Sequence, residues 1–266
     1  MSLAIDAINQ RTMRSPEVVT HYTRSSELLP HERAALDSVM DEVRGGAILD
    51  IGVGAGRTVQ ALRDISPNYL GIDYCQEMVD ASQARYPGVR FAHADARRLT
   101  GIADASIDLA VFSCNGISMV GHADRLLIMK EVQRVLKPGG VFVFTTYNRN
   151  SPEATAGFCF PEFEFSPNPA RLVVRACRHI KNTALRVHNR LQHIAHEVHE
   201  EEYAVLNDRC HHHGVMLYYI TLARQRAQLV SEGFEADALA FDCTGARIEG
   251  DSTLDSMALV ARKRMG

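Results

Sequence analysis

The chain has 266 residues, 46% of them hydrophobic, and a formal net charge of -3. That length buries one main core, and a charge balance so close to neutral leaves no global positive field for a phosphate backbone or a bilayer, so neither nucleic acid nor a membrane is expected as a partner. Six cysteines scattered without a CxxC pair read as reduced thiols and point to the cytoplasm, and Asp6, Arg11, Arg14 and Glu17 interrupt any early apolar run that a signal peptide would need.

In chain order, residues 16–43 have the pattern of one or two helices packed outside the main domain. From 47 to 146 short β-rich runs alternate with helical patterns, which predicts a parallel sheet flanked by helices. The strand candidates are 47–51, 69–72, 89–93, 107–112 and 141–145, each apolar as strands covered on both faces tend to be. A helix is predicted over 122–136, with Ile128, Val132, Val135 and Leu136 on one face. Lys137-Pro138-Gly139-Gly140 stops it, because proline cannot continue a helix and glycine accepts left-handed angles. After Asn148 the alternation lapses, and eight of the twelve histidines fall within 179–213. A helix over 221–232, closed by Gly233, and strands over 234–241 and 257–262 then complete the sheet. The expected segments are an N-terminal helical part (1–46), a ligand-binding core (47–148), an inserted lid or substrate subdomain (149–219) and a C-terminal completion of the sheet (220–266).

The central signal is the run from Ile48 to Thr58, a buried strand leading into Gly52, Gly54 and Gly56 and then a helix. Glycines at such a turn let a ligand approach the backbone, while the amides of the next helix face its polar groups. A dinucleotide fingerprint needs a third glycine where Arg57 stands, which disfavours nicotinamide and flavin dinucleotides. A second acid, Asp73, ends the next strand, placed to accept from both hydroxyls of a ribose. A third, Asp95, follows the strand at Phe91-Ala92-His93, and Ser113-Cys114-Asn115 ends the fourth.

The D-x-G-x-G-x-G pattern of Asp50, Gly52, Gly54 and Gly56, with Asp73, Asp95, the 107–115 segment and Arg134-Val135-Leu136-Lys137-Pro138-Gly139-Gly140 in order behind it, resembles class I S-adenosylmethionine-dependent methyltransferases of the small-molecule branch. The resemblance covers about 47–147. It implies an α/β fold, a doubly wound Rossmann-like, seven-stranded, mostly parallel sheet with N-terminal helices and a lid inserted after strand five. It also implies S-adenosylmethionine as cofactor and S-adenosylhomocysteine as product. On that pattern the glycine loop holds the amino-acid moiety, Asp73 the ribose, Tyr74 and Met78 the adenosine, Asp95 and Ala96 the adenine, Ser113 lies near the sulfur, and Tyr22 closes the pocket.

The activity this implies is in-line transfer of a methyl group to an O, N or C nucleophile of a small molecule. No acid or base is assigned, since alignment alone can remove roughly 7 to 11 kcal/mol of barrier. Asn115, Tyr147, Tyr218 and Tyr219 are candidates for the acceptor pocket. His93 reads as a packed or surface strand residue and His122 as a helix cap. The histidines at 193, 196, 199 and 211–213 lack the closely spaced cysteines or the H-E-x-x-H pair of zinc sites and read as a polar lid surface without metal. Neither a D-P-P-Y-type sequence nor a Pro-Cys pair follows strand four, which argues against base methylation and against Cys114 as a covalent nucleophile. A homodimer is compatible with this pattern. The alternatives are methylation of a peptide or protein side chain and a non-catalytic cofactor-binding subunit.

Overall fold

The computed structural model describes residues 2–24, 26–155 and 157–265; Met1 and Gly266, the outer ends of the expected segments, lie outside them, as do Ser25 and Ala156 within. Three helices come first, α1 (Ser2–Met13), α2 (Pro16–Thr23) and α3 (Pro30–Asp37). Ser15 caps α2 by accepting from the Val18 amide, and Pro16 occupies the first turn, where its missing N–H costs nothing. Helix α1 precedes the range expected to be helical. It is fastened by the fully buried Asn9, which donates to the carbonyls of Met119 (2.6 Å) and Met216 (2.8 Å) and accepts from the Met216 amide (2.8 Å).

The alternating core follows: β1 (Ile48–Ile51), α4 (Val59–Ile65), β2 (Tyr69–Asp73), α5 (Gln76–Arg85), β3 (Phe91–His93), β4 (Ile107–Phe112), α6 (His122–Val135) and β5 (Leu136–Asn148). Next come α7 (Pro152–Thr155), α8 (Pro169–His193), β6 (Val198–His199), β7 (Tyr203–Asp208), a single turn α9 (Cys210–His213) and β8 (Val215–Ile220). The chain closes with α10 (Leu222–Ser231), β9 (Leu239–Asp242) and β10 (Ser256–Arg262). Turn α9 is wound left-handed, with φ of 48° at His211 and 58° at His212 and His213.

Strands β3, β2, β1, β4 and β5 pair in that order, all parallel, and β10 then runs antiparallel to β5 with β9 beyond it. These are the seven strands expected. The sheet nevertheless has ten, because the far edge of β5 is shared. Residues 141–147 pair with β10, whereas Tyr147 and Asn148 pair parallel with Tyr219 and Ile220 of β8, which carries β7 and β6. The segment expected as a lid therefore ends inside the sheet. All six residues of β8 are buried, so the run Val215-Met216-Leu217-Tyr218-Tyr219-Ile220 is a core strand rather than a cover.

Apolar side chains cover both faces. Ile5 of α1, Ile128 and Val132 of α6 and Leu222 and Leu229 of α10 pack on one side, and Leu36 of α3 with Leu62 and Ile65 of α4 on the other. Among the described residues no helix is long and apolar enough to cross a membrane.

Candidate active site

The carboxyl ends of β1 to β4 open onto one cleft, where ligands of open α/β sheets bind. The glycine loop forms its floor. Gly54 has φ +56°, and a Cβ built on it meets nothing within 4 Å, so the missing side chain leaves free volume in the cleft wall. Gly52 also lines the cleft, but Gly56 does not: a Cβ there would stand 2.8 Å from the Tyr86 ring, which makes Gly56 a packing requirement against α5.

Asp73 ties this loop to β2. One carboxylate oxygen accepts from the Gly54 amide and the other from the Cys75 amide, both at 2.9 Å. Burial raises this carboxyl to about 6 against the pull of those amides. Asp50 is raised to about 6 by the same cause, but it is fully buried beneath the loop and does not line the cleft. It accepts instead from Thr58 Oγ1 (2.5 Å) and the Tyr69 hydroxyl (2.7 Å), so it braces the loop from behind.

Tyr74, Met78, Asp95, Ala96 and Ser113 all line the cleft, as does Tyr22 from α2. Asp95 is held by Arg97, whose Nη2 approaches it to 2.6 Å and which keeps the carboxyl below its ordinary range against partial burial. Arg97 also pairs with Asp6 of α1 at 3.2 Å, which draws that helix over the same end of the cleft.

The opposite end is assembled from distant segments. After β4 the backbone bends sharply at Cys114 and Asn115, whose φ values of 52° and 54° lie in the left-handed region. Such angles cost a non-glycine residue roughly 1 to 2 kcal/mol and persist where the surroundings over-determine them. Here the Cys114 amide donates to Glu32 Oε1 at 2.8 Å and the Asn115 amide to Thr145 Oγ1 at 2.6 Å. Asn115 Oδ1 is buried with no partner among the described residues, and Tyr147 lies on the same stretch of the wall. Both line the cleft. Burial holds the Tyr147 phenol well above its ordinary range and also pushes the Cys114 thiol up, so each stays protonated near neutrality. Cys114 opens onto the cleft volume, which makes its side chain accessible although protein surrounds it.

Tyr218 and Tyr219 do not line the cleft. Tyr219 donates to Asp208 at 2.6 Å on one face of β8, and the Tyr218 hydroxyl meets His122 Nδ1 at 2.8 Å on the other. His122 is thereby a packed residue, stacked 4.1 Å from the Tyr203 ring. His93 is exposed and bonds the Tyr74 carbonyl at 2.9 Å. The histidines of α9 are not a polar surface: His213 is fully buried, and His211 lines the cleft with its ring 6.2 Å from Tyr22. Burial lowers His211, so its imidazole is neutral at pH 7 and able to accept a proton.

Residues 49–144 match the family model described as a methyltransferase domain. A probable S-adenosylmethionine-dependent methyltransferase of Mycolicibacterium smegmatis is 34% identical over 40% of this chain and 39% of its own length. A demethylmenaquinone methyltransferase of Clavibacter sepedonicus is 31% identical over 50% of this chain and 56% of its own. The solved 1,6-didemethyltoxoflavin-N1-methyltransferase of Burkholderia thailandensis, with bound S-adenosylhomocysteine, superposes with a TM-score of 0.53 at 14% identity, over 88% of this chain and 78% of that one. Residues 49–144 therefore carry a methyltransferase domain. This chain spans less than two thirds of either curated relative's length.

Three further groups lie outside the motif. Arg57, in the position that excluded a dinucleotide, makes a paired contact with Glu32 of α3, at 2.6 and 2.7 Å, and both are nearly buried. His211 gave no signal beyond its place in a histidine run. Arg125 has no exposed surface and no carboxylate partner among the described residues; it donates to the Ile117 carbonyl (2.9 Å), Gln225 (2.6 Å) and Thr146 (3.2 Å), with the Tyr218 ring 4.6 Å away. It stands three residues before Ile128 on the apolar face of α6, and a charge inside such a stripe was the signal available.

Proposed function

We propose that the chain transfers the methyl group of S-adenosylmethionine to a small-molecule nucleophile held at the end of the cleft formed by Asn115, Tyr147, Cys210 and His211. When bound, the cofactor supplies an electrophilic sulfonium methyl. The residues fit it: free volume at Gly54, a carboxylate at the end of β2 and a second acid beside Ala96 follow one another along the cleft in the order of the cofactor's amino-acid, ribose and adenine parts. In this reading Asp73 accepts from the ribose, Tyr74 and Met78 flank the adenosine, and Asp95 with Ala96 receives the adenine.

The observation that favours a small acceptor is the roof. Tyr22 and His21 of α2 meet His211 with ring centres 6.2 and 6.4 Å apart, so α2 and α9 face each other across the cleft instead of leaving a groove for a folded partner. Two of the similar proteins carry names of low-molecular-weight acceptors, demethylmenaquinone and 1,6-didemethyltoxoflavin. Asn115 and Tyr147 then orient the acceptor and His211, neutral at pH 7, takes its proton where it has one, a contribution of about a hundred- to ten-thousandfold for a well-placed base. Calorimetry with S-adenosylmethionine followed by product detection across a panel of O, N and C acceptors tests this. Cofactor binding with methylation of peptides alone would replace the small acceptor, and binding with no transfer to any acceptor would leave a non-catalytic subunit.

A further inference from the structure

Helix α8 is docked the wrong way round for a helix of a water-surrounded domain. Such helices bury an apolar stripe and expose polar side chains. Here Val173, Ile180, Val187 and Ile194 recur at seven-residue intervals with Leu191 between the last two, and all five are exposed, Ile180 by 68% and Leu191 by 73%. The inward face is polar. Asn189 donates to the His212 carbonyl at 2.9 Å, His193 meets the His213 carbonyl at 3.0 Å, and Arg186 reaches the Cys159 carbonyl at 2.9 Å. These bonds hold the helix by its hydrophilic side and leave an apolar stripe about 30 Å long facing outward. Phe160 and Phe165, which precede the helix, are 67% and 72% exposed.

The charge on this helix says what meets the stripe. Its 25 residues include six arginines and lysines and no acid, although the chain as a whole carries -3. Arg178 and Lys181 are exposed beside the stripe. Two copies of α8 laid together would bring cations against cations with no carboxylate on the helix to offset them, which disfavours self-pairing. An uninterrupted aliphatic stripe bordered by cations and preceded by exposed phenyl rings is the arrangement that lies in a lipid interface, with the apolar face in the acyl boundary and the cations among anionic headgroups.

We infer that α8 binds the chain to the surface of an anionic lipid bilayer, lying in its plane. The near-neutral balance of the whole chain conceals this local positive field. Two of the inward bonds of α8, from Asn189 and His193, end on α9, which contributes Cys210 and His211 to the cleft, so the same helix braces that end of it. The inference stands independently of the methyl acceptor.

Co-sedimentation of the full chain with phosphatidylglycerol–phosphatidylcholine vesicles, compared with phosphatidylcholine alone, tests it. The expected result is partition into the anionic vesicles that weakens with salt. The exposed-site variants Ile180→Asp and Leu191→Asp should each lower it at least tenfold, and Arg178→Glu or Lys181→Glu at least fivefold, since one cation near such a surface is worth about that factor. Calorimetry with S-adenosylmethionine on the same preparations, unchanged in the variants, shows that they are folded and separates this result from the methyl-transfer reading. Failure to bind anionic vesicles overturns the inference. So does a concentration-dependent dimer that Leu191→Asp abolishes in place of vesicle binding, which assigns the face to a second copy. Saturable binding of purified acyl carrier protein, as an acidic helical protein, with no affinity for vesicles overturns it in favour of a protein partner.

Discussion

The two ends of the cleft are built on different principles. At the end lined by the glycine loop, Asp73 and Asp95, each element follows directly from the strand that positions it, so a contiguous stretch of sequence carries both the residues and their placement. At the opposite end, Asn115, Tyr147 and His211 come from three separate segments and are held by contacts distant in sequence. Conserving a strand's length suffices to keep the first end in place. The second depends on a buried polar scaffold of Glu32, Arg57 and Arg125.

That contrast breaks most visibly at Glu32. Its carboxylate pairs with Arg57 and also receives the amides of Leu29 and Cys114, so Glu32→Ala should cost about 3 to 5 kcal/mol, the usual penalty for stranding a buried charge, measurable by urea unfolding. A loss below about 1 kcal/mol would show the scaffold to be dispensable. At the other end Asp73→Ala should weaken S-adenosylmethionine binding by roughly 1.5 to 3 kcal/mol with little change in fold, and unchanged affinity in a folded variant would remove the ribose assignment.

The same carboxyl sharpens the comparison through pH. Because burial raises Asp73 to about 6 from 3.8, it gains a proton as pH falls through 6, and affinity for S-adenosylmethionine should decline over that step, with Asp73→Asn flattening the profile. The sign for stability is opposite. A buried carboxyl with a raised value destabilises the folded chain above about pH 6, and that penalty is relieved as pH falls from 6 toward 3.8. A binding profile flat from pH 7 to 5 would separate Asp73 from the cofactor. Smaller still, Tyr219→Phe should cost about 1 kcal/mol of stability by removing its bond to Asp208 and leave KM unchanged, whereas Tyr147→Phe should raise KM or lower kcat. Smallest of all, Cys114→Ser should leave turnover largely intact; abolished turnover with retained cofactor binding would revive a covalent step.

Much of this was legible beforehand, and the reasons are local. A glycine that must adopt φ of +56° and a carboxylate ending a strand each obey short-range rules, whereas the expected Lys-Pro-Gly-Gly stop is an irregular start of β5, where Leu136 pairs with Ile107 and the register then shifts. Tyr218 and Tyr219 show where such rules stop. Adjacent strand residues point to opposite faces, so no pairing of the two could both reach one cleft, and which face meets the cleft depends on where β8 joins β5. The run of histidines misled for a similar reason, since its polarity suggested a surface while a left-handed turn folds His211 into the cleft and buries His213.

By itself the sequence determined the parallel core, its glycine loop and the order of the acids at the ends of β2 and β3, because hydrophobic period and turn chemistry act within about a dozen residues. Only the tertiary structure decided that Asp50 braces the loop from behind, that ten strands rather than seven form the sheet, and that α8 turns its apolar side outward. Each of these rests on which distant segments meet, and that is set by the free energy of the whole packed chain rather than by any one stretch of it.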